Sequence, residues 1–116
     1  KVSSSTPAIN LTDGSVSMYG TEGQKTSGAY RLLWAGNIFR DSPVVAIKYT
    51  GSNSDRDLIL QRIGGVVPTN TATGYFLEDC NMDFTVKYTG TNNDRNVILT
   101  NIGGVVPTNT RSEQLP

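Results

Sequence analysis

The residues best suited to chemistry in this chain are three oxygen-bearing side chains at alternate positions of one polar run. Asp79, Asn81 and Asp83 stand at positions i, i+2 and i+4. On a tight loop such side chains can converge on one hard cation, and Ca²⁺ takes roughly six to eight oxygen ligands. The carbonyl of Thr85 and the carboxylate of Asp94 are the candidates that would complete the coordination sphere. The pattern predicts a calcium site, with a loop closed by Asx-type hydrogen bonds as the alternative.

This loop lies at the start of the second copy of an internal repeat. Residues 48–71 return as residues 87–110 at a constant offset of 39, and 18 of the 24 positions are identical. Units duplicated this closely share one supersecondary structure and bury their apolar faces against each other. The sequence therefore predicts two equivalent bodies that pack together across a pseudo-twofold axis.

Each copy predicts a strand, a polar loop, a short helix and an extended tail. Residues 44–49 and 84–88 are β-branched and aromatic, which favours strands, and we expect these two strands to be adjacent. An N-cap at Asn53 or Ser54 begins the first helix, an N-cap at Asn92 or Asn93 begins the second, and a Gly-Gly pair ends each one. The predicted core consists of Leu33, Val45, Ile47, Leu58, Ile59, Ile63, Val86, Ile98, Leu99 and Ile102.

The calcium prediction is limited to the second repeat. At the constant offset, the residues in place of the three ligands are Arg40, Ser42 and Val44. Phe84 stands where an EF-hand loop has the glycine of its sharp turn.

We predict a small single α+β domain spanning residues 1–116. A β-rich N-terminal segment, residues 1–34, precedes repeat 1 at residues 35–73 and repeat 2 at residues 74–116. In the N-terminal segment, apolar residues on both sides of Asp13-Gly14 indicate a β-hairpin, and residues 21–28 indicate a loop. Residues 29–35 fit either a short strand or one helical turn.

Composition excludes several classes of function. The chain has no histidine, so Ser-His and Cys-His catalysis are excluded, and the only acidic cluster is Glu78, Asp79 and Asp83 on one short run. Ten basic and ten acidic residues leave no net charge and no basic stripe for nucleic acid. No apolar run is long enough to span a membrane. The one cysteine, Cys80, is either a small loop residue or a thiol that links chains.

The second repeat resembles a dockerin-like C-terminal module of large secreted bacterial surface proteins. The positions that carry the resemblance are Asp79, Asn81, Asp83, Val86, Tyr88, Gly90, Asn93, Asp94, Arg95, Ile98, Leu99, Ile102, Gly103 and Gly104. The first repeat matches only in its later half, residues 48–65. For this chain the resemblance implies two pseudo-twofold strand–loop–helix repeats, secretion, calcium-supported folding and protein–protein docking.

The favoured function is a non-catalytic extracellular assembly module. It would dock to a protein partner, or associate with copies of itself as a subunit of a cell-surface structure or filament. The predicted interface residues are Val2, Ile9, Leu11, Tyr49, Arg56, Tyr88 and Arg95. Arg56 and Arg95, at matched positions of the two helix starts, either bridge to a carboxylate or carbonyl of the opposite repeat or lie in solvent. The alternative is a carbohydrate-binding module, in which Trp34, Tyr75 and Phe76 stack on the rings of a glycan.

Overall fold

The computed structural model describes residues 10–15, 24–40 and 46–112. These ranges form a small α+β domain of short strands and two helices, so the predicted fold class is confirmed at this level. The elements in chain order are β1 (Lys25–Ser27), β2 (Tyr30–Leu32), β3 (Ile47–Lys48), α1 (Asp55–Arg62), β4 (Thr71–Thr73), β5 (Thr85–Lys87), α2 (Asp94–Asn101) and β6 (Thr110–Arg111). Within these ranges no helix is both long and apolar enough to cross a membrane.

The two helices begin with side-chain caps. Ser54 caps α1 by accepting a hydrogen bond from the backbone of Asp57, and Asn93 caps α2 in the same way from Asn96. Each cap satisfies one of the N–H groups that a helix start leaves without an internal partner. Of the two candidates in each repeat, the structure selects the later one.

Glycine pairs end both helices. Gly65 N donates to Leu60 O and Gly104 N donates to Leu99 O, each at 2.8 Å. These bonds span the last helical turn and require a left-handed backbone at the preceding glycine, which a residue without a Cβ adopts at little cost. The predicted Gly-Gly ends are confirmed.

Each repeat pairs its tail strand with the opening strand of the other repeat. Strand β4 pairs antiparallel with β5, with Ala72 opposite Val86, and β6 pairs antiparallel with β3, with Arg111 opposite Ile47. Among the described residues the two opening strands pair with tail strands and not with each other, so the prediction that they are adjacent is wrong.

Two hydrogen bonds between the repeats are made in the same reciprocal way. Thr50 Oγ1 donates to the carbonyl of Pro107, and Thr89 Oγ1 donates to the carbonyl of Pro68, both at 3.0 Å. The donors are 39 residues apart, and so are the acceptors. Contacts made in both directions by equivalent residues mean that each repeat meets the other through the same surface.

The core lies between the helices and the opening strands. Its buried apolar residues are Trp34, Ile38, Ile47, Ile59, Ile63, Cys80, Val86, Ile98 and Ile102. Six of the predicted core residues are among them. Leu58 and Leu99 lie half-buried at its margin, Val45 lies outside the described residues, and Leu33 is 59% exposed, so its prediction was wrong.

The N-terminal segment contributes one hairpin, β1–β2, among its described residues. Residues 25–27 form a strand where a loop was predicted, because β2 supplies its partner. Residues 10–15 bend instead of forming a strand around Asp13-Gly14. Asn10 Nδ2 donates to Asp13 Oδ2 at 3.0 Å, and local side-chain bonds of this kind compete with strand pairing. The remainder of the predicted hairpin lies outside the described residues.

Candidate functional site

The predicted calcium loop is closed by its own side chains. Asp79 accepts hydrogen bonds from the backbone of Asp83 at 3.1 Å and of Phe84 at 2.8 Å, one to each carboxylate oxygen. Asp83 in turn accepts from Thr85 N at 3.0 Å. These are the Asx-type bonds of the alternative interpretation, and they bring Asp79 and Asp83 together on one short loop.

Asn81 joins this loop to the start of α2. Its side-chain amide donates to Asp83 Oδ2 at 3.1 Å and to the carbonyl of Asn92 at 2.8 Å. Phe84 has a φ of 72°, in the left-handed region that the EF-hand glycine would adopt freely. The position therefore has the glycine-type conformation but carries an aromatic side chain.

Asp94 faces the backbone of the loop. Its Oδ1 accepts from Cys80 N at 2.7 Å and from Asn81 N at 3.3 Å, and its Oδ2 accepts from Lys87 N at 2.7 Å. Burial raises the pKa of this carboxyl, and the backbone hydrogen bonds oppose the rise. Asp94 thus ties the loop and β5 to the start of its helix.

Asp55 does the same in the first repeat. Its Oδ1 accepts from Ile38 N at 2.7 Å and Phe39 N at 2.8 Å, and its Oδ2 accepts from Lys48 N at 2.7 Å. Burial raises its pKa as well. The two buried aspartates are the strongest structural equivalence between the repeats.

These bonds correct the predicted alignment of the two loops. Ile38 and Phe39 occupy the places of Cys80 and Asn81, so the residue equivalent to Asp79 is Asn37, not Arg40. Three more residues separate Phe39 from Lys48 than separate Asn81 from Lys87. A constant offset could not reveal this insertion. Ser42 and Val44 lie outside the described residues.

Among the described residues, no group of three or more His, Cys, Asp or Glu side chains is arranged to hold a metal. The loop brings Asp79, Asn81 and Asp83 together, whereas both carboxylate oxygens of Asp94 are bonded to backbone N–H groups. Calcium in the second repeat stays a prediction.

A largely apolar groove lies where the two repeats meet. Its volume is about 1010 Å³, and we call it the shared groove because both repeats line it. The lining residues are Leu33, Trp34, Ala35, Gly36, Asn37, Arg40, Tyr75, Phe76, Leu77, Asp79, Cys80, Met82 and Phe84. Five of them are large apolar residues left substantially exposed: Tyr75 (96%), Met82 (85%), Leu77 (61%), Leu33 (59%) and Phe84 (44%).

Arginines cover two of the predicted sugar-stacking rings. The guanidinium of Arg111 lies 4.0 Å from the ring centre of Trp34, and that of Arg62 lies 4.5 Å from the ring centre of Phe76. Tyr75 is the most exposed of the three rings and meets Phe84 edge-on, with ring centres 4.9 Å apart.

The predicted interface arginines stack within their own repeats. Arg56 lies 5.1 Å from the ring centre of Tyr49, and Arg95 lies 5.0 Å from that of Tyr88. A planar guanidinium gains cation–π attraction there. Arg56 forms an ion pair with Asp57, its chain neighbour, at 3.2 Å. The predicted bridge to the opposite repeat is therefore wrong for these arginines, and each one stacks on a tyrosine of its own repeat instead.

The other predicted interface residues lie in the N-terminal segment. Leu11 is 42% exposed, while Val2 and Ile9 lie outside the described residues. Sequence reasoning missed Leu33, Leu77 and Met82 as surface residues. For Leu77 the available signal was three successive large apolar residues, 75–77, beside a loop and outside any helical or alternating pattern.

Glu78 and Cys80 form part of the packed interior. Glu78 Oε1 accepts from Arg62 at 3.1 Å, an ion pair between the two repeats. Cys80 is buried, and burial together with the nearby Asp94 carboxylate raises the pKa of its thiol. Neither arrangement presents a reactive group at the surface.

Comparisons of the chain with protein-family models, with curated proteins and with solved structures found no match.

Proposed function

We propose that this chain is a non-catalytic extracellular assembly module that docks through the shared groove. The observation that carries the proposal is the set of five large, exposed apolar side chains around one concavity. Contiguous exposed apolar surface is costly in water and is typical of protein interaction sites. Charged side chains at the groove are few, which matches the centre of a protein interface.

The architecture proposed with this function is a pair of dockerin-like repeats around a pseudo-twofold axis. Reciprocal strand pairing and the matched aspartates support it. The tail of repeat 1 pairs with repeat 2, and the tail of repeat 2 pairs with repeat 1 in the same way. A rotation that exchanges the two repeats in this manner is a twofold rotation. In this arrangement the repeats stabilise each other and leave the groove between their opening loops for a partner. Calcium bound at Asp79, Asn81 and Asp83 would then stiffen one wall of the groove.

The non-catalytic part of the proposal rests on the residues available. The chain has no histidine, and Glu78, one of the three clustered acids, is engaged by Arg62. The extracellular part rests on the resemblance to secreted surface proteins.

The test is surface docking by a fluorescent fusion. The full chain joined to a fluorescent protein is applied to cells of the organism that produces it, and we expect saturable staining. The double variant Tyr75→Ser/Leu77→Ser should weaken staining at least about tenfold, because it removes two apolar anchors from the interface. The matched control is Val66→Ser/Val105→Ser, which changes two valines 83% and 84% exposed on the tails. Absent staining, or equal loss in both variants, would overturn the proposal.

Carbohydrate binding is the second candidate, and the open ring of Tyr75 favours it. An exposed aromatic ring can stack on a sugar face. Treatment of the cells separates the two candidates. Protease should abolish staining if the partner is a protein, whereas periodate should abolish it if the partner is a glycan.

A further inference from the structure

The differences between the two repeats are concentrated at one place. Residues 48–71 and 87–110 differ at six positions, which in the second repeat are Thr91, Asn93, Asn96, Val97, Thr100 and Asn101. All of these except Thr91 line one cavity of about 560 Å³ beside α2. The two copies therefore differ mainly in the surface that this cavity presents.

The cavity lies between α2, the loop before β5 and Lys25 of β1. We call it the amide pocket, because five of its nine lining residues are asparagines. Its volume falls within the range of about 300–1,000 Å³ that is usual for small-molecule sites. It has no lining residue in common with the shared groove, so an inference about it goes beyond the docking proposal and does not rest on it.

The substitutions make this face of α2 neutral. The first repeat carries Asp57, Leu58, Gln61 and Arg62 where the second carries Asn96, Val97, Thr100 and Asn101. The first set includes one acidic and one basic side chain, whereas the second set has no charge. Three of the four side chains are also shorter in the second set. A neutral, recessed polar surface suits an uncharged polar ligand.

Several polar groups at the pocket have hydrogen-bonding capacity left over. The side chains of Asn92, Asn96 and Thr100 are exposed and make no hydrogen bond to any residue that the structure describes. A carboxamide both donates and accepts, and so does a hydroxyl. The neighbouring hydroxyl groups of a sugar ring also do both, so they can pair with these side chains in either direction. Val97 is half-buried and offers an apolar surface to the C–H groups of the ring.

The two charged residues of the pocket balance each other. Asn101, which is 3% exposed, accepts from Lys25 Nζ at 2.8 Å and donates to the carbonyl of Ala35 at 2.7 Å. An ammonium has three donors, so Lys25 is held in place with two left for a ligand. Asp83 is the one acid at the pocket. We propose that the amide pocket binds an uncharged saccharide of one or two rings.

NMR titration of the isotope-labelled full chain tests this site. The probes are glucose, galactose, mannose, N-acetylglucosamine and maltose, each added up to about 50 mM. We expect at least one of them to cause saturable shifts at the side-chain amides of Asn92 and Asn96, with a Kd of roughly 0.1–10 mM. Inorganic phosphate and glutamate, the charged probes, should cause none.

The first repeat supplies a matched variant of the pocket. Asn96→Asp/Val97→Leu/Thr100→Gln gives α2 the residues that α1 already carries at the same positions, so the fold should be retained. It should raise the Kd for the sugar at least about tenfold, because it adds a charge and longer side chains to the pocket. Thr91→Ser, at the one differing position outside the pocket, should leave the Kd unchanged.

The reverse change in the first repeat is a second control. Asp57→Asn/Leu58→Val/Gln61→Thr should leave the Kd unchanged, since these residues lie on α1. Lys25→Met keeps most of the side chain but removes its donors, and it should raise the Kd at least about threefold. The thermal transition of each variant checks that it is folded.

The absence of saturable shifts with all of these sugars, or equal binding by the two triple variants, would overturn the inference. Saturable shifts at Trp34 and Tyr75 instead would place the sugar in the shared groove and overturn the amide pocket as its site. The two proposals can fail separately. A chain that binds no sugar but stains cells through Tyr75 and Leu77 overturns only the saccharide site. A chain that binds a sugar at Asn96 but leaves cells unstained overturns only surface docking.

Discussion

Asp55 and Asp94 hold the backbone of their own repeats in the same way. Each lies at the first position of a helix, is fully buried, and accepts three backbone N–H bonds through its carboxylate. In each case one of these donors is the lysine of the opening strand, at 2.7 Å. Each aspartate therefore ties the opening loop, the strand and the start of the helix together with one side chain, and the hydrogen bonds offset the cost of burying it.

Asp55→Asn and Asp94→Asn should each lower the free energy of unfolding by about 1–3 kcal/mol. Asparagine keeps the shape of the side chain but replaces one acceptor oxygen with an NH₂ group, which cannot accept from the backbone N–H that faces it. Urea denaturation at neutral pH measures the loss.

The matched control for this pair is Asp57→Asn. Asp57 is a half-buried first-turn aspartate whose equivalent in the second repeat is already asparagine, Asn96. We expect its effect to stay within about 0.5 kcal/mol. Equal effects at all three positions would show that the backbone hydrogen bonds of the buried pair have no special role.

The same two carboxyl groups should show a distinctive pH response. Burial raises the pKa of both above the ordinary value of 3.8. As the pH rises from that value, the unfolded chain loses these protons before the folded chain does, so this contribution to stability declines until the folded groups have also ionised.

Titration of the carboxyl carbons by NMR measures these pKa values directly. We expect Asp55 and Asp94 to titrate above 3.8. Asp13 should titrate below the ordinary value, because Ser15 donates to its carboxylate. Titration of the two buried aspartates below Asp13 would contradict the burial argument.

The two helices could be predicted because the residues that begin and end a helix lie close to it in sequence, and here the same end residues occur in both repeats. The cap and glycine pair of each helix act within one turn, and the second copy repeats the evidence. The Tyr–Arg stacks could have been predicted too. Tyr49 precedes Arg56 by seven residues, and Tyr88 precedes Arg95 by the same spacing.

The strand partners could not be predicted from the same sequence. Strands β3 and β6 are two residues long, too short for an alternating pattern to specify a partner or a register. The exchange of tails between repeats depends on contacts far apart in the chain. The cover that Arg111 gives to Trp34 depends on that exchange, because Arg111 lies on β6 and β6 pairs with β3.

Arg111→Ala should weaken the packing of β6 against the first repeat. Its guanidinium stacks on Trp34, and its Nε donates to the carbonyl of Asn101 at 2.7 Å. Loss of both contacts should cost about 1–3 kcal/mol of unfolding free energy and shift the emission of Trp34, the only tryptophan, to longer wavelength.

Arg111→Lys keeps the charge of this residue but not its planar stacking group. We expect a smaller loss of stability from it. Arg40→Ala, which removes an exposed arginine, serves as the control for a change in net charge. If Arg111→Ala left both the stability and the Trp34 emission unchanged, Arg111 would not be holding β6 against the first repeat.

Calcium should raise the melting temperature if the second loop binds it. A gain of about 1 kcal/mol corresponds to roughly 4 °C for a domain of this size. Removal of the ion with a chelator should lower the melting temperature of the wild-type chain, and Asp83→Ala should abolish that sensitivity. Asp57 lies outside the loop, so the Asp57→Asn variant should keep the sensitivity of its melting temperature to the chelator. Superimposable melting curves with calcium and with chelator would remove the ion from the proposal.

Cys80 should be unreactive in the folded chain. Its side chain is buried in the core, and burial raises the pKa of its thiol, so little thiolate is present at neutral pH. We expect a thiol reagent such as Ellman's reagent to modify the native chain far more slowly than the chain in urea. Non-reducing gels should show no disulfide-linked dimer of the native chain. Rapid native labelling, or a dimer that reductant dissolves, would favour the alternative prediction that this thiol links chains.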